Sequence, residues 1–492
     1  MFIHSSLIAL RLEQKGPEKW RWQMILQRLK SFTMSKRGVR LARFGLIIAI
    51  ITTFANASTS SPPIVPDNTP FANSSGFAAT LNINGSIDLS NEFFQSLGTN
   101  SRSCSSCHRI EEGWTITPEG VQARFDATQG TDPIFRLNDG SNSPNADVAT
   151  VEARRSAYSM LLNKGLIRVG IGIPDNAEFE LIGVDDPYEF ANAAELSLFR
   201  RPLPSTNLKF LSTVMWDGRE TFTAETIHFD LSHQANGATQ GHAQAPDPLT
   251  DAQRESIVNF EIGLFTAQLH DNNAKSLIGE GAKGGPKSLS FQDFYIGIND
   301  LFGDSVTNEP FNPIVFNIYD RWKGLHGGGI NGARAAVARG QDLFNSKLFR
   351  ISDVSGINDE ALFGSPSVVN GTCTTCHDTP NSGNHSVAAP LNIGIADGSR
   401  RTPDMPLYTL RNKDTGATVQ TTDPGRALIT GEWKDIGRFK GPVLRGLAAR
   451  APYFHNGSAK DLEAVVEFYD LRFGIGFTRQ ERDDLLAFLR TL

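Results

Sequence analysis

Two copies of one short pattern constrain this 492-residue chain more than anything else in it. They are Ser-Cys104-Ser-Ser-Cys107-His108 and Thr-Cys373-Thr-Thr-Cys376-His377, and together they use all four cysteines. Cys-x-x-Cys-His has three readings: half of a zinc site, a redox-active dithiol, or the attachment site of a c-type haem. Cys-x-x-Cys pairs that share a zinc lie roughly 15–20 residues apart, whereas Cys373 follows Cys104 by 269 residues. A dithiol switch has no use for a histidine directly after its second cysteine, and here that histidine occurs twice. Haem attachment uses every residue: two thiols add across the vinyl groups and the histidine is placed to coordinate iron. The pattern predicts two covalent c-type haems, on Cys104 and Cys107 and on Cys373 and Cys376, with His108 and His377 as iron ligands.

Covalent haem attachment outside the bacterial cytoplasm calls for export, and the chain has a matching segment. Basic residues at 34–43 precede the apolar run Phe44–Phe54 and the small-residue pattern Ala55-Asn56-Ala57, the arrangement of a cleaved secretory signal. An eleven-residue run falls short of the roughly 20 residues that cross a bilayer as a helix. Residues 34–57 therefore read as a signal peptide of a periplasmic protein with no stable membrane span. Residues 1–33 read as an upstream extension or a mis-assigned start, with Met34 the preferred initiator. From residue 58 onward the chain holds 37 Lys and Arg against 51 Asp and Glu, a net charge of −14. That balance disfavours nucleic acid and suits a basic partner such as a small soluble cytochrome.

Residues 58–75, rich in Ser and Pro, read as a flexible leader. Ser90–Gly98 is predicted as a short helix before the first motif. His326–Gly332 is a glycine hinge followed by an alanine-rich helix at 333–344, and Thr478 with Glu481 opens a capping box for the last helix. Strand-like alternation is scarce. The expectation is a mostly α fold of two tandem cytochrome c-like domains, each with one covalent haem: an N-terminal active-site domain at 76–328 and a C-terminal electron-transfer domain at 329–492.

The run from Phe439 to Asp470, containing Ala451-Pro452-Tyr453-Phe454-His455-Asn456-Gly457, resembles the C-terminal signature of the bacterial di-haem cytochrome c peroxidases, a family that includes MauG. Val214-Met215-Trp216-Asp217-Gly218-Arg219 resembles a motif of that family's N-terminal haem domain, while 109–213 looks like an insertion. The resemblance implies that Trp216 lies between the haems as an electron relay, with Asp217 and Arg219 pairing to hold its turn. It implies Tyr469 as sixth ligand of the second haem, with His455 as rival, and a possible calcium ion held by backbone carbonyls near Arg450–Pro452. An ungapped match from Gln234-Ala235 puts Gln244 where the peroxidases carry a catalytic glutamate. Glutamine takes no proton at neutral pH, so His242 becomes the candidate acid–base group, with His228 and His233 as further candidates for a base or for a sixth ligand of the first haem.

Two classes of function follow. As an enzyme, the chain would bind hydrogen peroxide or dioxygen at the haem of His108: a reductive peroxidase first, a MauG-like protein oxidase or a di-haem oxygenase as alternatives. As a non-enzyme, it would be a two-haem electron carrier.

Overall fold

The computed structural model describes residues 64–361 and 364–492. The upstream extension at 1–33, the signal peptide at 34–57 and the start of the leader lie outside the described residues.

Among the described residues, six helices of eleven residues or more carry the frame: α1 (Pro118–Thr128), α2 (Ile227–Gly241), α3 (Asp251–Ile262), α4 (Gly329–Ser346), α5 (Leu462–Phe473) and α6 (Arg479–Leu489). Side chains fix where most of them start. Thr117, Thr226 and Asp461 each accept an amide bond at the N-cap of α1, α2 and α5, and Thr250 with Gln253 and Thr478 with Glu481 form the capping boxes of α3 and α6. The expected helix at Ser90–Gly98 shrinks to one 3-10 turn, Glu92–Phe94. Asn91 caps that turn, Phe93 is buried, and so short an amphipathic stretch has too few intrahelical bonds to hold itself together.

The expectation of a mostly α fold of tandem cytochrome c-like domains does not hold. Helix accounts for 31% and strand for 17%, in several sheets. Pro70–Asn73, Gly76–Asn82, Leu264–Asp271 and Lys275–Ser276 form a four-stranded antiparallel sheet, so the later part of the expected leader is strand. Phe179–Asp185 joins the hairpin Leu407–Asn412 and Thr418–Thr421, and Ile167–Ile171 pairs with Leu196–Arg200. These strands were hidden from periodicity for a physical reason. Leu196–Arg200 is buried at every residue, so it shows no alternation, and Phe179–Asp185 finds its partner more than 200 residues away.

The described residues belong to one compact unit with separate apolar cores. One holds Phe93, Trp114, Leu231 and Phe260, with Cys104 at its edge. Another holds Phe344, Leu462, Val466 and Phe488, with Cys373 at its edge. Tyr319 and Trp322 stack at 4.7 Å and lie in this second core although they precede Gly328. A third core joins Phe179 and Leu198 of the 109–213 segment to Tyr408, Leu410 and Leu428.

Candidate haem sites

The two Cys-x-x-Cys-His motifs are built alike. Each begins with a 3-10 turn, Cys104–Ser106 and Cys373–Thr375. The Ser103 amide donates to Ser106 Oγ at 3.1 Å, and the Thr372 amide to Thr375 Oγ1 at 3.0 Å. The turn returns each histidine amide to the first cysteine's carbonyl, at 3.0 Å for His108 and 3.2 Å for His377. His108 Nδ1 lies 3.0 Å from the Trp114 carbonyl oxygen and His377 Nδ1 2.6 Å from that of Gly383. A carbonyl only accepts, so Nδ1 carries the proton and Nε2 keeps its lone pair, the arrangement that orients a metal-ligating imidazole. Burial lowers the pKa of both, His108 to about 4, which favours the neutral, ligating form. All four cysteines are free thiols, and burial raises their pKa, Cys373 and Cys376 to about 12. Burial outweighs the pull of Arg102 and Arg124 on Cys107, so no thiolate is favoured, which tells against a dithiol switch.

Each motif opens on its own cavity, in which the centre of a water-sized sphere ranges over about 190 Å³ beside His108 and about 230 Å³ beside His377. Leu208, Val214, Leu231 and Ile257 line the first, and Phe344, Val466, Phe473 and Leu489 the second. Apolar walls, a histidine with a free Nε2 and two neighbouring thiols fit one c-type haem per cavity.

Trp216 lines both cavities. Its Nε1–H donates to the Arg201 carbonyl at 2.8 Å, and its own carbonyl accepts from the Lys440 amide at 2.9 Å. Its turn is pinned by more than the expected pair. Asp217 accepts from Arg219 at 3.0 Å and from Arg200 at 2.5 Å, and Arg200 in turn grips Asp423 at 2.7 and 2.9 Å. Burial opposes charge on Asp217, but the two guanidiniums outweigh it and hold the carboxyl at about 2.

His242 also lines the first cavity and is 40% exposed, so it touches both cavity and solvent. Its Nδ1 lies 2.5 Å from Asp139, whose carboxylate also pairs with Arg102. Burial works against charge on Asp139, yet His242 and Arg102 hold its pKa below the usual value. Gln244 is exposed at a φ of 56°, takes a 3.4 Å bond from Asn100 and does not line the cavity. His228 and His233 face Glu255 and Glu220 outside the cavity lining.

In the second cavity, Tyr469 lies on α5 among Phe454, Phe468 and Phe473, and among the described residues its hydroxyl makes no hydrogen bond. His455 is stacked on Phe439 at 3.9 Å, with Nε2 buried, unbonded and 4.0 Å from Asp423. Near Arg450–Pro452 the Arg450 carbonyl accepts one bond from Arg201 at 3.2 Å, and among the described residues no group of three acidic, His or Cys side chains is placed to hold a metal ion.

Sequence reasoning missed Asp139, which lies in the presumed insertion and has no local signal. It also missed Glu261, a buried carboxyl lining the first cavity with Oε2 unbonded, whose pKa burial pushes up to about 8. Here a signal existed: a lone acid among Ile257, Val258 and Phe260 on the buried face of α3.

No family model matches the chain. Among curated proteins it is similar to cytochrome-c peroxidase IdrP2 of Pseudomonas sp. (strain SCT), 28% identical over 190 residues, covering 35% of this chain and 51% of the relative. It is also similar to cytochrome-c peroxidase IdrP1 of the same strain, 29% identical over 140 residues, covering 24% and 36%, and to cytochrome c peroxidase Ccp of Escherichia coli (strain K12), 38% identical over 76 residues, covering 15% and 16%. These matches span at most about half the length of the relatives. A solved MauG-like protein associated with microbial copper homeostasis aligns over 82% of this chain and 86% of its own at 17% identity, with a TM-score of 0.37, too low to add to the argument.

Proposed function

We propose, from the partial similarity to cytochrome-c peroxidases and the two haem-type cavities, that the chain is a periplasmic two-haem oxidoreductase of the di-haem cytochrome c peroxidase and MauG-like kind that reduces hydrogen peroxide in the His108 cavity. Electrons would come from a small soluble cytochrome by way of the His377 cavity. The observation that carries this reading is Trp216, one indole in the wall of both cavities, fixed at its nitrogen and at its backbone. Two haem irons would supply the redox chemistry and the place where peroxide oxygen binds. What remains is the work of the chain's own side chains.

His108 and His377 would hold the two irons through Nε2, which the Nδ1 bonds to the Trp114 and Gly383 carbonyls leave free. Tyr469 is proposed as the second ligand in the His377 cavity, because it lines that cavity from α5 and its hydroxyl makes no hydrogen bond among the described residues; His455, whose buried Nε2 is likewise unbonded, is its rival. Reduction of one peroxide to two waters takes two electrons and two protons, and His242 is the group proposed to deliver protons. Asp139 fixes its Nδ1, which leaves Nε2 for exchange, and the partly exposed ring can be reloaded from solvent. Gln244, outside the cavity lining, takes no part in proton transfer.

The test is steady-state peroxide reduction with reduced cytochrome c as donor. His242→Ala should lower kcat/KM by about 10²-fold, the usual size for an acid–base group, and Asp139→Asn should lower it less, because the imidazole loses its anchor and keeps its proton chemistry. An unchanged rate in His242→Ala removes that residue from the mechanism. No turnover in a fully haem-loaded chain removes the peroxidase reading.

A further inference from the structure

Arg201, Lys440 and Arg450 line both cavities, in the same wall as Trp216. Their hydrogen bonds go only to backbone carbonyls. Arg201 donates to those of Ile116, Lys164, Gly165 and Arg450, Lys440 to that of Thr213 at 2.8 Å, and Arg450 to that of Val443. Arg200, one residue earlier, shows what a satisfied buried cation looks like here, since it pairs with both Asp217 and Asp423. Taking a cation out of water without a counter-charge is strongly unfavourable. The cost is visible: burial pushes Lys440 down to about 7 and both arginines to about 10. Arg201 and Lys440 are buried and Arg450 is half-buried; among the described residues none of the three makes an ion pair, although Glu112 partly offsets the burial of Arg201, and such a wall calls for anions on its faces. A haem carries two carboxylates on one edge, and each cavity fits one haem.

We propose that Arg201, Lys440 and Arg450 form an anion-binding wall shared by the two cavities, which takes carboxylates of the haems on both sides and stands in place of a bound calcium ion. The proposal rests on the two-haem reading above. A divalent cation here would face the guanidiniums of Arg201 and Arg450 beside the Lys440 amine, and the Arg450 carbonyl already accepts one bond from Arg201. Side-chain cations would hold the two carboxylate edges together without added metal.

The experiment begins with a haem count on holo-protein, because a chain without two covalent haems overturns the two-haem reading and this proposal with it. On protein that passes, calcium content, unfolding temperature in EGTA and in calcium chloride, and the two reduction potentials are measured for wild type, Arg450→Gln, Arg450→Lys and Lys440→Met. Expected are no stoichiometric calcium, an unfolding temperature indifferent to EGTA, and potentials that fall in Arg450→Gln and Lys440→Met. Removing a nearby positive charge favours the ferric state, and Arg450→Lys should keep most of the wild-type value. One calcium per chain whose removal lowers the unfolding temperature would overturn the proposal while leaving the two-haem reading intact. Wild-type potentials in both neutralising variants would do the same. If Arg450→Gln does not fold, Lys440→Met carries the test.

Discussion

Glu261 is a carboxyl that the fold keeps from water, and it makes a pH prediction with a definite sign. Burial raises its folded pKa to about 8, above the unfolded value, so the folded state holds a proton that the unfolded state releases. Its contribution to stability is fully present below about pH 4.3 and is lost as pH rises through 8. Glu261→Gln should therefore raise the unfolding temperature at pH 9 and change it little at pH 5, checked by thermal melts at the two pH values. An equal shift at both would mean that the carboxyl ionises freely in the folded chain. At this scale the Cys-x-x-Cys-His groups and Trp216 were legible because their neighbours in sequence are also their neighbours in space. Asp139 was not: it meets His242 across 103 residues, and nothing near it in the sequence marks that contact. His242 was read as a stand-in for a missing glutamate, and the anchor that holds its ring could come only from the fold.

Among the elements, α4 and α6 pack together in the core beside the second haem motif, through Phe344 of one and Phe488 of the other. Gly340 sits in the middle of α4, where glycine costs about 1 kcal/mol relative to alanine, and the reason is spatial. A Cβ at Gly340 would lie 1.9 Å from the Asp484 carbonyl oxygen and 2.8 Å from Phe488 Cβ, while Arg339 pairs with the Asp484 side chain at 2.7 and 2.8 Å. Gly340→Ala should destabilise the chain by about 2 kcal/mol, within the range for overpacking a core, despite its better helix propensity. Urea denaturation measures this, and a stabilised variant would show that the helices part at no cost. The last helix was legible from its capping box and apolar spacing, and α4 from its alanine-rich run, although α4 begins at Gly329, inside the expected glycine hinge. The sheets were not, because Leu196–Arg200 has no exposed face and the pairing of Phe179–Asp185 with Leu407–Asn412 depends on the whole topology.

For the whole molecule, the expected domain boundary near Gly328 becomes a question of what a cut there would separate. Residues 326–330 are exposed, yet Phe316, Tyr319 and Trp322 before them share a core with Phe344 and Phe488 after them. Limited proteolysis at the glycine run should give two fragments that still elute together from a sizing column without denaturant. Separate elution would mean that the halves are held by the chain alone. The central claim is that two haem cavities act as one two-electron device through the wall that holds Trp216. The measurement that reaches it most directly is an anaerobic titration of the fully reduced protein with hydrogen peroxide, followed in the haem absorption bands. The account predicts rapid loss of both reduced signals with an endpoint at one peroxide per chain. Reduced bands that persist in excess peroxide would contradict it and leave a two-haem electron carrier.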